Sequence, residues 1–294
     1  MSIIERGVSK SIRIFKRTVF KRNAPDFIIA GAQKSGTSSL YYYLSQHPNL
    51  SASMPKEVRY FDRDDNFNKG KIWYERSFIN LNSNNKDCLF FEATPEYMYR
   101  SFATERMHEQ YPDLKIILIL RNPVKRAYSA WNMYRDFLKL KKLPGKIPSK
   151  NGYINDRQNN LAKEFYKAEK FPSFEEAITS EILKIEQNSE LEEPSLLRRG
   201  IYLTQIKRFH DLFGKEKVLI LGFADLIQNK KNTLNEILRF LNLKESDWDF
   251  LKDEPKNSRD YPERMSKEME DKLKAFYTPY NDALFDYLGT KINW

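Results

Sequence analysis

The sequence is poor in the residues that form disulfides and metal sites. Its 294 residues include one cysteine, Cys88, and three histidines. A single cysteine excludes an intrachain disulfide framework and is typical of a reducing compartment. So few cysteine and histidine side chains favour neither a zinc site nor a Cys/His nucleophile. We therefore expect no metal cofactor.

Long apolar runs are missing too. No stretch approaches the roughly 20 apolar residues of a membrane-spanning helix, and no signal peptide is evident. These absences predict a cytoplasmic protein. Hydrophobic residues still make up 40% of the sequence and aromatic residues 14%, which is enough for a globular core. The length suits one large α/β domain or two small ones.

Acidic residues are outnumbered by basic ones, and the formal net charge is +10. This excess favours an acidic ligand, whether a nucleotide, an acidic polymer or an anionic membrane. Residues 1–22 carry part of it, between apolar residues at helical spacing: Ile4, Val8, Ile12, Phe15 and Val19. Two interpretations stay open. This basic amphipathic segment contacts the anionic inner membrane surface peripherally, or it packs on its own domain or frays.

Residues 26–40 contain the strongest local pattern. The apolar run 27–30 predicts a buried strand, and the spacing of apolar residues from Thr37 onward predicts a helix. Gly31 and Gly36 bracket the turn between them. Backbone N–H groups and a helix N-terminus surround an anion in this geometry, with Lys34 adding a positive charge and Thr37 and Ser38 adding hydroxyls. The alternative is an ordinary turn that uses glycine for its conformation alone.

An ATP or GTP P-loop fits this turn poorly. That motif places its lysine directly after the last glycine. Here Lys34 precedes Gly36 by two residues.

Residues 55–62 combine charges with bulky aromatics. We expect a short extended segment over 58–61. Glu57 is either half of a surface ion pair or a carboxylate placed in a cleft, where its basicity is tuned for proton transfer.

A second strand is predicted over 88–92, running into a polar turn that contains Thr94 and Tyr97. Such turns deliver residues to the carboxyl edge of a parallel sheet. A capped turn packed by tyrosine explains the same residues without a ligand.

Residues 116–120 form a continuous apolar run, as expected for a central parallel strand. Arg121 follows it, Pro123 opens the next helix, and Ser129 lies on that helix. A guanidinium and a hydroxyl near a helix start can hold a phosphate by charge-assisted hydrogen bonds. An ATPase would instead end this strand with an acidic residue for magnesium.

Together these segments resemble the sulfotransferases that use 3′-phosphoadenosine 5′-phosphosulfate (PAPS), in particular the heparan-sulfate-type and bacterial carbohydrate enzymes. The resemblance rests on Lys34-Ser35-Gly36-Thr37, on residues 56–62 and on residues 121–129. It implies an α/β fold: a single P-loop-like domain over residues 23–294, with a mainly parallel central sheet flanked by helices.

The resemblance also implies residue roles. Lys34, Ser35, Gly36, Thr37 and Ser38 would bind the 5′-phosphosulfate, and Glu57 would be the general base. Arg121 and Ser129 would hold the 3′-phosphate, which Arg259 and Tyr261 would cover. The acceptor side would include Arg59, Asp62, Thr94 and Tyr97. The cofactor would be PAPS, with 3′-phosphoadenosine 5′-phosphate (PAP) as product and no metal.

The expected activity is transfer of a sulfuryl group to a hydroxyl, preferably on a polysaccharide or glycolipid, with no nucleic acid partner. Arg59 stands where the relatives commonly have histidine, and Ala93 where the heparan-sulfate enzymes usually have lysine. The acceptor's identity is therefore not carried over. Two alternatives stay open: a P-loop kinase or NTPase, and a non-catalytic binder of acidic glycans or nucleic acid.

Two further expectations concern the rest of the chain. Residues 139–172 predict a long surface excursion, either over the acceptor cleft or without a role. A final helix is expected to break at Pro279.

Overall fold

The computed structural model describes residues 23–78, 88–141, 171–187, 195–252 and 264–294, without the side chains of 137–141. The basic segment 1–22 lies outside the described residues. So do residues 142–170 of the predicted excursion, and both Arg259 and Tyr261.

Five strands form a parallel sheet in the order β2-β3-β1-β4-β5. Their bounds are β1 Phe27–Gly31, β2 Leu50–Ala52, β3 Leu89–Ala93, β4 Lys115–Leu120 and β5 Val218–Gly222. All five residues of β1 are buried, as is β4 after its first residue. Continuous apolar strands of this kind belong in a sheet covered on both faces.

Helices cover both faces of this sheet. The α-helices of the described residues are α1 Thr37–Leu44, α2 Asp64–Phe67, α3 Lys71–Glu75, α4 Ser101–Gln110, α5 Pro123–Lys141, α6 Phe174–Glu186, α7 Tyr202–Phe213, α8 Phe223–Gln228, α9 Lys230–Phe240 and α10 Lys267–Leu288. Alternate strand residues point to opposite faces, so Ile28 and Ile116 enter one core whereas Phe27 and Ile117 enter the other. The predicted P-loop-like α/β architecture is confirmed.

The parallel arrangement brings the carboxyl ends of the strands to one edge. Ile29 of β1 pairs with Ala93 of β3 on one side and with Ile117 of β4 on the other. Beyond the strands, the N–H of Met98 donates to the carbonyl of Ala30 at 2.9 Å. The polar turns that follow β1, β3 and β4 are therefore neighbours.

The predicted break at Pro279 is wrong, because α10 continues through it. Buried side chains on both sides of the proline, Leu273, Tyr277 and Leu284, keep one face of the helix packed on the domain. That packing outweighs the loss of one backbone hydrogen bond.

Candidate active site

The β1–α1 turn, residues 32–36, has the backbone shape of an anion-binding loop. Lys34 and Gly36 both have positive φ, at 68° and 91°. A Cβ added to Gly36 would lie 2.7 Å from the ring of Phe223, so the position excludes side chains by space as well as by conformation. Gly36 also precedes the first residue of α1 without offering a capping side chain. The N–H groups of the first helical turn are thus suited to an anion.

Arg121 joins the end of β4 to this turn. Its Nη1 donates to the carbonyl of Lys34 at 3.0 Å, and its guanidinium lies 4.9 Å from the ring centre of Phe223. The hydroxyl of Tyr202 donates to the Arg121 carbonyl at 2.7 Å. Two predicted cationic residues, 87 positions apart in the chain, therefore meet at the edge of the sheet.

Ser129 is buried on the second turn of α5. The start of that helix is fixed by Asn122, whose Oδ1 accepts from the N–H groups of Val124 and Lys125 at 3.1 and 3.2 Å. This cap is the role of Asn122, a residue to which the sequence pattern assigned none.

The predicted extended segment at 58–61 is not formed. Residues 55–60, here called the Glu57 loop, have left-handed backbone at Glu57 and Arg59, with φ of 59° and 55°. Such a conformation costs a non-glycine residue about 1–2 kcal/mol and persists where surrounding contacts impose it. Glu57 itself forms an ion pair with Lys56 at 2.6 Å, and its side chain is 35% exposed.

The Glu57 loop is tied to α1. The hydroxyl of Tyr41 donates to the carbonyl of Ser53 at 2.5 Å, and Lys56 Nζ lies 6.0 Å from the centre of the Tyr41 ring. Tyr41, near the middle of α1, therefore anchors the chain around the Glu57 loop to the helix that the predicted phosphate-binding turn precedes.

Glu92 is the residue that the sequence pattern missed. It is fully buried near the end of β3, and four donors surround its carboxylate. Oε1 accepts from the hydroxyls of Tyr74 at 2.5 Å and Tyr97 at 3.0 Å. Oε2 accepts from the hydroxyl of Thr94 at 2.7 Å and the N–H of Val58 at 3.3 Å. Burial raises the pKa of Glu92 to about 7, although these hydrogen bonds favour the charged form.

Thr94 and Tyr97 are fully buried, and their hydroxyls are engaged inside the protein. Their predicted contact with the acceptor stays a prediction. A single acidic residue within an otherwise apolar strand, Glu92 in the run 89–93, is the signal that points to this buried site.

A second buried carboxylate, Glu96, joins the turn after β3 to the turn after β1. Arg199 donates to it through both Nη atoms, at 3.1 and 2.9 Å, and Gln33 Nε2 donates at 2.9 Å. Burial alone would raise the pKa of Glu96, yet the guanidinium groups of Arg199, Arg59 and Arg100 lower it to about 2. Glu96 is therefore ionised and holds Gln33, the residue before Lys34, in place.

Arg59 and Asp62 form a close pair beside this cluster. Arg59 donates to Asp62 Oδ2 from Nε at 2.9 Å and from Nη2 at 2.6 Å. Asp62 is buried, which raises its pKa against the effect of Arg59, whereas Arg59 is partly exposed.

These elements define an α/β protein of the P-loop-like class, in which the polar turns after three neighbouring strands meet at one edge of the sheet. The chain belongs to the sulfotransferase family, because the model of the sulfotransferase domain matches residues 24–275.

Known proteins of this family resemble much of the chain. The membrane-associated sulfotransferase kil1 of Dictyostelium discoideum is 25% identical over 317 residues, covering 92% of this chain and 66% of kil1. The bifunctional heparan sulfate N-deacetylase/N-sulfotransferase 1 of Homo sapiens is 35% identical over 116 residues, covering 38% of this chain and 13% of that protein. The chain thus spans less than two thirds of the length of either relative.

A solved sulfotransferase from Alicyclobacillus acidocaldarius shares the fold. It superposes with a TM-score of 0.63 at 27% identity, covering 92% of this chain and 98% of that one. Within the described ranges, no helix is long and apolar enough to cross a membrane.

Proposed function

We propose that this protein transfers the sulfuryl group of PAPS to a hydroxyl of a carbohydrate acceptor, with Glu57 as general base. The observation that carries the proposal is the contact of Arg121 with Lys34. It places the Arg121 guanidinium against the backbone of the turn that carries Lys34, so cationic residues from two adjacent strand ends are neighbours. Such a pair suits a nucleotide with an anionic group at each of two positions. The family membership supports the reaction type.

The β1–α1 turn would bind the 5′-phosphosulfate. Lys34 and the N–H groups of residues 35–38 would stabilise the negative charge that develops on the departing phosphate. The close approach of backbone to ligand that Gly36 permits suits such an oxyanion. On the other side of this turn, Arg121 and Ser129 would hold the 3′-phosphate, and Arg259 and Tyr261 would cover it.

Glu57 would accept the proton of the acceptor hydroxyl as its oxygen attacks sulfur in line. The bond between sulfur and the 5′-phosphate oxygen breaks, its electron pair leaves with PAP, and a new sulfur–oxygen bond forms on the acceptor. Lys56 pairs with Glu57 at 2.6 Å and places a positive charge beside the proposed base. Side chains of this chain supply each of these roles, so no metal ion is part of the proposal.

A carbohydrate acceptor is supported by the relative named for heparan sulfate. It is also supported by the partly exposed side chain of Arg59, a cation within the Glu57 loop. Arg59 with Asp62 would form the acceptor side of the site, together with the predicted contacts of Thr94 and Tyr97.

The direct test is incubation with sulfur-labelled PAPS and a panel of desulfated glycans, glycolipids and phenols. Label should appear on a carbohydrate, and unlabelled PAP should compete whereas ATP with magnesium should not. Transfer of phosphate from ATP would identify a kinase instead. Salt-dependent binding of acidic polymers that survives Lys34→Ala and Glu57→Gln, without turnover, would identify a non-catalytic binder.

We also propose that residues 1–22 give the protein peripheral contact with anionic membrane. Their basic amphipathic pattern supports this, as does the membrane association named for kil1. Sedimentation with phosphatidylserine-containing vesicles tests it. Deletion of residues 1–22 should abolish co-sedimentation at low salt, and unchanged binding would remove the proposal.

A further inference from the structure

The backbone of the Glu57 loop is hydrogen-bonded to one buried carboxylate, that of Glu92. The N–H of Val58 donates directly to Glu92 Oε2 at 3.3 Å. The next two amides reach the same carboxylate through one hydroxyl each. Three consecutive N–H groups of the loop therefore depend on Glu92.

Each of these two indirect connections is a chain of two hydrogen bonds, from a loop N–H to a hydroxyl and from that hydroxyl to Glu92. The N–H of Arg59 donates to Thr94 Oγ1 at 3.4 Å, and that hydroxyl donates to Glu92 at 2.7 Å. The N–H of Tyr60 donates to the hydroxyl of Tyr97 at 2.9 Å, and that hydroxyl donates to Glu92 at 3.0 Å. Because Glu92 accepts from both hydroxyls, each hydroxyl keeps a lone pair with which it accepts from a loop amide.

We propose that Glu92 is a positioning residue that, through Thr94 and Tyr97, holds the Glu57 loop in its active conformation. This rests on the proposed function of Glu57 as general base. The loop needs such support because Glu57 and Arg59 both have left-handed backbone. Amide hydrogen bonds at Val58, Arg59 and Tyr60 would hold that backbone and so fix the direction in which Glu57 projects.

Tyr74 supplies a matched control. Its hydroxyl donates to the same oxygen of Glu92 as the hydroxyl of Tyr97 does, and both side chains are fully buried. Among the described residues, the Tyr74 hydroxyl makes no hydrogen bond to a loop amide, whereas the Tyr97 hydroxyl accepts from the N–H of Tyr60. Tyr97→Phe and Tyr74→Phe thus remove the same chemical group from the same carboxylate, but only the first removes a support of the loop.

The first readout is hydrogen exchange of the amides of residues 58–60 in the full-length protein, which requires neither PAPS nor an acceptor. Exchange should be at least about tenfold faster in Tyr97→Phe than in Tyr74→Phe. Thr94→Val should also accelerate it, whereas Thr94→Ser, which keeps the hydroxyl, should restore protection. Equal loop exchange in Tyr97→Phe and Tyr74→Phe would overturn the proposal. If Tyr97→Phe does not fold, the Thr94 pair decides alone, and equal exchange in its two variants would overturn the proposal.

The second readout is turnover. Displacing the base lowers kcat, because misplacement by about 1 Å can cost on the order of 100-fold. Tyr97→Phe and Thr94→Val should lower kcat about 10- to 100-fold at unchanged affinity for PAP, with Tyr74→Phe losing at least about fivefold less. Faster loop exchange in Tyr97→Phe without a greater loss of kcat would overturn the positioning role. A wild-type protein that transfers no sulfuryl group to any acceptor would instead contradict the proposed function, which the exchange data do not test.

Discussion

Arg121 donates a hydrogen bond to the carbonyl oxygen of Lys34 at 3.0 Å, across the ends of two adjacent parallel strands. The contact places the side chain of Arg121, a predicted phosphate-binding residue, against the backbone of Lys34, which is another. It follows from the sheet order, in which β1 lies between β3 and β4. Residues from three distant parts of the chain meet there because each follows a buried strand.

Arg121→Ala should weaken the binding of PAP by about 10- to 100-fold, since hydrogen bonds to charged groups contribute about 1.5–3 kcal/mol. Titration calorimetry with PAP measures this. Lys125→Ala is the matched control, because it removes one positive charge from an exposed position of the same region. Equal PAP affinity in both variants would remove Arg121 from the nucleotide site.

Lys34→Ala should weaken the binding of the donor and also slow the transfer of the sulfuryl group. The lysine would attract the donor's anionic group and also stabilise charge that grows on the leaving oxygen. We expect weaker PAP binding in calorimetry and a separate fall in kcat at saturating PAPS. A variant that loses affinity alone would show that Lys34 makes the same contribution before and during the reaction.

Gly36→Ala should destabilise the protein more than Gly289→Ala does. Both glycines have left-handed backbone, with φ of 91° and 69°, but a Cβ at Gly36 meets Phe223 whereas a Cβ at Gly289 meets nothing within 4 Å. The conformational cost, about 1 kcal/mol, is therefore shared, and the steric cost is confined to Gly36. Urea unfolding of both variants separates the two terms. Equal free energies of unfolding would mean that the turn relaxes away from Phe223.

Glu92 should make stability depend on pH. Burial raises its pKa from 4.5 to about 7, so between those values the native state binds a proton that the unfolded chain has released. The free energy of unfolding therefore falls as pH rises from about 4.5 to about 7, by on the order of 3 kcal/mol from this group. The tyrosines around it, Tyr41, Tyr74, Tyr97 and Tyr111, have raised pKa values and stay neutral over this range.

Denaturant unfolding of the wild type and Glu92→Gln across this pH range isolates the contribution. As pH rises from about 4.5 to about 7, the free energy of unfolding of the wild type should fall relative to that of the variant. Parallel curves would show that the carboxyl titrates at its ordinary pKa in the native protein.

The sequence predicts the scaffold well where residues are uniformly apolar. The strands at 27–30 and 116–120 are confirmed, because runs of that kind can only be buried. The strand at 88–92 is observed one residue later, at Leu89–Ala93. The predicted turn between the strand at Gly31 and the helix at Thr37 is confirmed, and Gly36 within it has left-handed backbone.

The buried polar contacts could not be predicted from the local sequence pattern, because they join residues that are far apart in the chain. Glu92 meets Val58 across 34 residues and Glu96 meets Arg199 across 103. Nothing near these residues in the chain indicates such partners. For the same reason the left-handed backbone at Glu57 and Arg59 was not predicted, since tertiary contacts and not residue type impose it.

The central claim is that Glu57 removes the acceptor's proton during sulfuryl transfer from PAPS. The most direct measurement is the rate of label transfer by Glu57→Gln at saturating PAPS, beside calorimetry with PAP on the same preparation. We predict a kcat lower by orders of magnitude with PAP affinity within about twofold of wild type, since the amide keeps the shape but cannot accept the proton. Near-normal transfer by Glu57→Gln would contradict the account.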